Sequence, residues 1–205
     1  NGGFLPDAVF NYLCLLGWTP RIDGEKLTRE TLVALFDPAE IHSSNARFDM
    51  AKCSWFNAQY LRELSPGALL AAARPFLDQA GLNITDETTA AAAIFSVKEK
   101  VSLLTEIPAW VHYFFRSDYP YEDDVMVKLK AKPENATLLK AAADGFRTLT
   151  DWSEATVQTA IEEAAKAHSV KAGALMPLLR FALSGQSRGP GVNTIAHLIG
   201  QESTL

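Results

Sequence analysis

Cysteine is scarce in this chain, basic charge is outnumbered, and no apolar run approaches membrane length. Only two cysteines occur in 205 residues, Cys14 and Cys53. Neither has the paired spacing of a zinc site, and each falls inside an apolar helical pattern, so buried reduced thiols are preferred over a disulfide or a metal pair. Lysine and arginine number 19 against 24 aspartates and glutamates, a formal net charge of −5. That balance argues against a general nucleic-acid binder with a basic surface, and leaves room for a site-specific one that uses a local cluster of positive charge. A membrane span needs about 20 consecutive apolar residues and none is present, so a chain with no membrane partner is expected. The start, Asn1-Gly2-Gly3, lacks a methionine, a basic stretch and a cleavage signal, and reads as the edge of a piece of something larger.

Catalytic signatures are missing as well. There is no glycine-rich phosphate loop, no nucleophile elbow and no histidine pair on one helical face. His42, His112, His168 and His197 are scattered, and each is better read as a surface or core residue than as a general base. No catalytic residue and no metal site is expected. Internal repeats and low-complexity segments are absent too.

What remains is helix. With 48% hydrophobic and 21% charged residues, the chain can bury one large core or two small ones. Pro6, Asp7 and the run Ala8 to Leu16 predict a helix that is apolar on nearly every face and closed by Gly17. Thr28 predicts an N-cap for Arg29 to Phe36, with Leu27 and Leu32 stapling its start. A polar loop through Ser43, Ser44 and Asn45 follows. Asp49 then caps a helix lined by Met50, Cys53, Tyr60, Leu61 and Leu64, with Lys52, Gln59 and Arg62 facing outward. Ser65-Pro66 predicts a sharp helix start and a domain boundary, and the helix from Gly67 to Gln79 ends at Ala80-Gly81. Another helix starts near Thr85 or Asp86 and leads to the charged turn Lys98-Glu99-Lys100. Pro108 opens an aromatic helix, Ala109 to Phe115, in which Trp110, Tyr113, Phe114 and Phe115 read as core rather than as a base-stacking surface. Glu122, Asp123 and Asp124 lack the ligand spacing of a calcium loop and read as a solvated acidic linker. Lys128, Lys130 and Lys132 alternate with apolar residues and form the densest basic patch. Helices are expected from Asn135 to Thr148 and from Ser153 to His168, the second with an inner stripe of Val157, Ala160, Ile161, Ala164 and Ala165.

The stretch on which the rest turns is LLRFALSGQSRGPGVNTIAHLIG, from Leu178 to Gly200. Pro177 must kink or begin its first helix. Leu178, Leu179, Ala182 and Leu183 can face a core, while Arg180 and Ser184 share the opposite stripe. Gly185 is placed as a left-handed terminator, and Pro190 falls where the first turn of the next helix would be. Between them an exposed loop carries Gln186, Ser187, Arg188 and Gly189. A planar arginine fork on such a loop suits the edges of unstacked bases, and a helical corner with a solvated arginine is the plainer alternative.

Four segments resemble, in order, those of bacterial-type glutamyl-tRNA synthetases. They are GFLPDAVFNYLCLLGW (Gly3 to Trp18), FDMAKCSWFNAQYLREL (Phe48 to Leu64), KEKVSLLTEIPAWVHYFF (Lys98 to Phe115), and the closing LRFALSG, GPGV and LIGQE. The resemblance implies an all-α fold, a helical bundle or cage of two anticodon-binding subdomains at 66–116 and 117–205, preceded by the helical end of a stem-contact region at 1–65. It implies that Arg180 reads the anticodon, that Gly189, Pro190 and Val192 surround its first two bases, and that Lys100 meets the third. A threonine often stands at the Gly189 position, and an arginine at that of Lys100. Arg188, Lys52, Arg62, Lys128, Lys130 and Lys132 are further candidates for the tRNA backbone, although solvated charges are the plainer reading for the lysines and Arg62.

The implied partners are tRNA(Glu) and the synthetase's own N-terminal catalytic domain, the implied setting a cytoplasmic monomer. The full enzyme would use ATP and Mg2+, with no cofactor in this portion and no activity of its own. A non-catalytic helical module that grips a protein is the alternative, and a tRNA-modifying paralogue is weakened because such paralogues usually lack this region.

Overall fold

The computed structural model describes residues 2–42 and 46–205. The polar loop expected at Ser43, Ser44 and Asn45 lies outside the described residues. Within them every regular element is helical and no strand occurs. The chain divides into two compact units. One takes the residues up to Ala80 together with Lys98–Pro108, and the other takes Gly81–Val97 with Ala109–Leu205. The expected domains, divided after residues 65 and 116, follow a different partition from these packing units.

In the first unit, α1 (Pro6–Gly17) packs on α2 (Arg29–Leu35) and on α3 (Met50–Glu63), and α4 (Pro66–Gln79) follows. The expected caps are made: Thr28 Oγ1 accepts from Thr31 N, Asp49 Oδ1 from Ala51 N and Lys52 N, and Ser65 Oγ from Ala68 N. Each satisfies amide groups that have no partner inside the helix. Helix α1 is not buried on every side, since Leu13 is half exposed. Its inner face instead carries a polar group, Asn11, whose Nδ2 donates to Glu25 O and whose Oδ1 accepts from Leu27 N. Asn57 of α3 is likewise buried, accepting from Leu5 N at 2.7 Å and donating to Ser102 O at 2.6 Å. These two amides tie loops to helices where apolar contact alone would leave backbone groups without partners. Tyr12, Cys53 and Phe56 form the apolar contact between α1 and α3. Met50, expected on that stripe, is exposed, and Phe56 takes the place.

The second unit begins with α5 (Glu87–Ser96), capped by Asp86, whose carboxylate accepts from Thr88 N. Helix α6 (Ile107–Val111) begins in the first unit and ends in the second, where the chain tightens into a 3-10 turn over His112–Phe114, so the aromatic segment is a broken helix. The acidic run is no linker: Asp123 and Asp124 open α7 (Asp123–Lys130), at the helix end that favours negative charge. Helices α8 (Glu134–Arg147), α9 (Glu154–Ala167), α10 (Ala172–Ser184), α11 (Val192–Ile199) and α12 (Gln201–Thr204) complete the unit. Helix α9 packs on α8, α10 and α11, and the whole expected stripe from Val157 to Ala165 is buried there with Phe146, Leu175 and Ile195. Each large side chain so enclosed stabilises the fold by roughly 1.5–3 kcal/mol. Trp152 locks α11 to this core by donating from Nε1 to Ala196 O at 3.0 Å and by standing edge-on to Phe146.

Candidate nucleic-acid interface

Helix α10 carries the loop that the sequence singles out. Pro177 lies inside it, five residues after Ala172, so it does not begin the helix, and Gly173 O can receive no bond from it. Leu178, Leu179 and Leu183 are buried as expected, but Phe181 and Ser184 are buried too, while Ala182 is exposed. Ser184 therefore does not share an outer stripe with Arg180. Its hydroxyl turns back to donate to Arg180 O at 2.7 Å and accepts from Gln186 N at 3.2 Å. Gly185 ends the helix in the left-handed conformation, φ +71°, with its N–H on Phe181 O. The neighbouring carbonyls are met by tyrosines: Tyr121 donates to Ala182 O at 3.0 Å and Tyr119 to Leu183 O at 2.8 Å. Burial, and Tyr121 beside it, push the Tyr119 hydroxyl up to about 12.

The loop is held on both sides. Gln186 Nε2 donates to Ala109 O at 2.9 Å, Ser187 N donates to Glu122 Oε2 at 2.9 Å, and Glu122 N donates to Gly185 O. Arg180 is half-buried, and its Nε donates to Pro190 O at 3.3 Å, which fixes the guanidinium against the loop. Its two terminal amino groups have no partner among the described residues, so that part of the fork is free to donate. Gly189, at φ +154°, lies between Arg180 and Tyr113: a Cβ built there would stand 3.3 Å from the Tyr113 hydroxyl and 3.7 Å from Arg180 Cδ. That hydroxyl is buried without a hydrogen-bond partner, and burial pushes its pKa well above the ordinary tyrosine value, opposed by the Arg180 charge. Arg188 is exposed, with its guanidinium carbon 4.7 Å above the centre of the Trp110 ring.

The expected site residues thus fall into several groups. Arg180, Arg188, Gly189 and Pro190 come together at the end of α10. Pro190 is buried and precedes Gly191, so it sits outside α11 and not in its first turn, since Gly191 takes the capping position and its carbonyl receives Ile195 N. Val192 is 1% exposed in the core, so its side chain supports the loop from beneath and offers no surface to a ligand. Lys100 belongs to the first unit, exposed at the end of a 3-10 turn, Lys98–Lys100.

Lys52 pairs with Glu25 at 2.6 Å. Arg62 does not simply face outward, because it is only part-exposed, its Nε lies 2.8 Å from Glu99 Oε2, and its carbonyl accepts from Lys98 Nζ. Lys128 pairs with Asp124, and Lys128 and Lys130, two apart on a helix, point to different faces, so the alternating lysines are not one patch. Lys130 and Lys132 flank a mostly apolar groove of about 440 Å3 between α7, α8 and α10. Sequence reasoning missed Tyr119, Tyr121, Glu122 and Gln186 as loop supports. The one local hint was the tyrosine pair itself, because a hydroxyl on an aromatic ring is the part of it that needs a partner.

The profile of the anticodon binding domain family matches residues 68–205. The chain belongs to this family. Relatives agree along the whole chain: it is 36% identical to the glutamate–tRNA ligase of Akkermansia muciniphila over 99% of its length and 46% of the relative's. It is 33% identical to that of Thermus thermophilus over 99% of its length and 43% of the relative's. The crystal structure of a glutamate tRNA ligase from Elizabethkingia meningosepticum in complex with its amino acid superposes with a TM-score of 0.88 at 29% identity, over 98% of this chain and 40% of that one. The chain therefore spans less than half the length of these relatives. Among the described residues no cluster of histidine, cysteine or carboxylate groups could hold a metal, and no helix is long and apolar enough to cross a membrane. An arginine held through Nε beside a glycine can donate from its remaining amino groups with little further cost in ordering.

Proposed function

We propose that this chain is the anticodon-reading portion of a glutamate–tRNA ligase that acts on tRNA(Glu) as a monomer in the cytoplasm. The observation that carries the reading is Arg180, held through Nε by Pro190 O with its remaining fork unpartnered among the described residues. Lys100 would meet the third anticodon base with a point charge in place of a planar fork. The catalytic half, with ATP and Mg2+, would lie in an N-terminal domain within the part of the relatives' length that this chain does not span, and this chain would hold the anticodon arm and align the acceptor end with it.

The test is binding of the chain to a glutamate tRNA transcript and to transcripts with changed anticodons, across a salt series. Preference for the native anticodon is expected. A good base contact contributes about 1–3 kcal/mol, so Arg180→Ala should weaken binding about 10- to 100-fold and remove most of that preference. Equal binding of all transcripts by the unaltered protein would refute the reading.

A further inference from the structure

We propose that Arg188 and Trp110 form a preassembled platform on which one unstacked anticodon base lies flat, so that Arg188 acts through its face and not as a phosphate contact. This rests on the anticodon-reading role just proposed and says how a second arginine serves it. The guanidinium carbon lies 4.7 Å over the Trp110 ring centre. An arginine stacked on an aromatic ring has one face covered and the other available, and its plane matches that of a nucleobase.

Both halves of the platform are fixed by their neighbours. Gln186 is tied to Ala109 O, the residue before Trp110, and Ser187 N is tied to the Glu122 carboxylate, so the chain on one side of Arg188 is anchored twice. On its other side, Gly189 adopts φ +154°, a backbone that glycine enters more readily than other residues. No carboxylate pairs with Arg188 among the described residues, whereas Lys52, Arg62 and Lys128 each have one. An arginine that served the fold alone would gain from an acidic partner. This one is presented on a ring and left open. Arg180, around the same glycine, offers its edge to donate, while Arg188 offers its face to stack.

The experiment compares Arg188→Lys with Arg188→Ala on anticodon stem-loop hairpins of a glutamate tRNA, native or with one anticodon base removed at a time to leave an abasic sugar. Stacking on a side chain is worth about tenfold in affinity or more. Lysine keeps the charge and loses the plane, so Arg188→Lys should lose about as much as Arg188→Ala on the native hairpin, and one of the abasic hairpins should bind both variants as well as it binds the unaltered protein. Trp110→Leu, checked for intact helicity, should cost a similar factor and make the further change Arg188→Ala nearly neutral. If Arg188→Lys binds like the unaltered protein while Arg188→Ala weakens binding and lowers the salt slope by about one, Arg188 is a phosphate contact and the platform is wrong. If both variants bind normally, it is wrong as well. In either case the unaltered protein still prefers the native anticodon. Loss of that preference in the unaltered protein marks failure of the anticodon reading itself, and the platform falls with it.

Discussion

Replacing Gly185 by alanine tests whether the α10 terminus is built around a close approach or merely around a left-handed residue. The backbone there has φ +71°, and an added Cβ would stand 2.7 Å from Pro120 O and 3.2 Å from the Tyr119 ring. Gly81 has nearly the same φ, +69°, with nothing within 4 Å of the same added atom, so Gly81→Ala is the matched control. A non-glycine residue in the left-handed region costs about 1–2 kcal/mol, of which roughly 0.4–1 kcal/mol is returned by the stiffer unfolded chain. Gly81→Ala should therefore destabilise by about 0–1.6 kcal/mol. Gly185→Ala must in addition move a backbone oxygen, an overpacking cost of about 1–3 kcal/mol, for a total of about 1–4.6 kcal/mol. The displaced segment holds Tyr119, Tyr121 and Glu122, which supply the hydrogen bonds to Leu183 O, Ala182 O and Ser187 N. Urea unfolding of both variants, followed by circular dichroism, measures the difference. Equal loss in the two would mean that the approach of Pro120 is easily relaxed and that the loop is not clamped as described.

Two further perturbations read the same interior. Burial holds the Tyr119 hydroxyl at about 12, above the unfolded value of about 10, so its contribution is complete below about pH 10 and is lost as pH rises through about 12. Stability should fall across that window, and Tyr119→Phe should make the fall shallower; an unchanged pH profile in that variant would exclude Tyr119 as its source. Burial likewise raises both thiols above the ordinary cysteine value, and Cys53 is 1% exposed where Cys14 is part-exposed. At neutral pH both should alkylate more slowly than a free thiol, Cys14 first and Cys53 only on unfolding, as followed by mass spectrometry; rapid labelling of Cys53 in the native protein would contradict the packing of α1 on α3.

Helix starts were legible from sequence because capping is a conversation across two or three residues. Thr28, Asp49, Ser65 and Ser153 cap where expected, and of the two candidates Thr85 and Asp86 it is Asp86 that caps, each accepting from an amide of the following turn. The inner stripe of α9 was legible because its outer face is clearly polar. In α10 the same reasoning slipped by one residue, since Phe181 and Ala182 are both apolar and periodicity cannot say which of them bounds the buried face. The acidic run at 122–124 was misread because charge alone describes a linker and a helix N-terminus equally well. What decides it is Glu122 meeting Ser187 N and Gly185 O, contacts that no local pattern contains. The Trp110 and Arg188 pair was illegible for the same reason: its anchor, Gln186 to Ala109, joins residues 77 apart.

The acidic balance of the chain argues against a general nucleic-acid surface, but net charge does not say which cations are already paired. What a phosphate or a base meets is a cation that no carboxylate already holds. Lys52, Arg62, Lys128, Lys140 and Arg147 are all paired with acidic groups, so they add little to the field a ligand feels. Arg180, Arg188 and Lys100 have no such partner among the described residues. Gly189 sharpens the point. A threonine there would have to enter a positive-φ backbone that β-branched residues avoid, and its Cβ would crowd the Tyr113 hydroxyl. Under the proposed anticodon reading, glycine at that position would give up the hydroxyl of a threonine and leave room for a base beside Arg180 and the loop backbone.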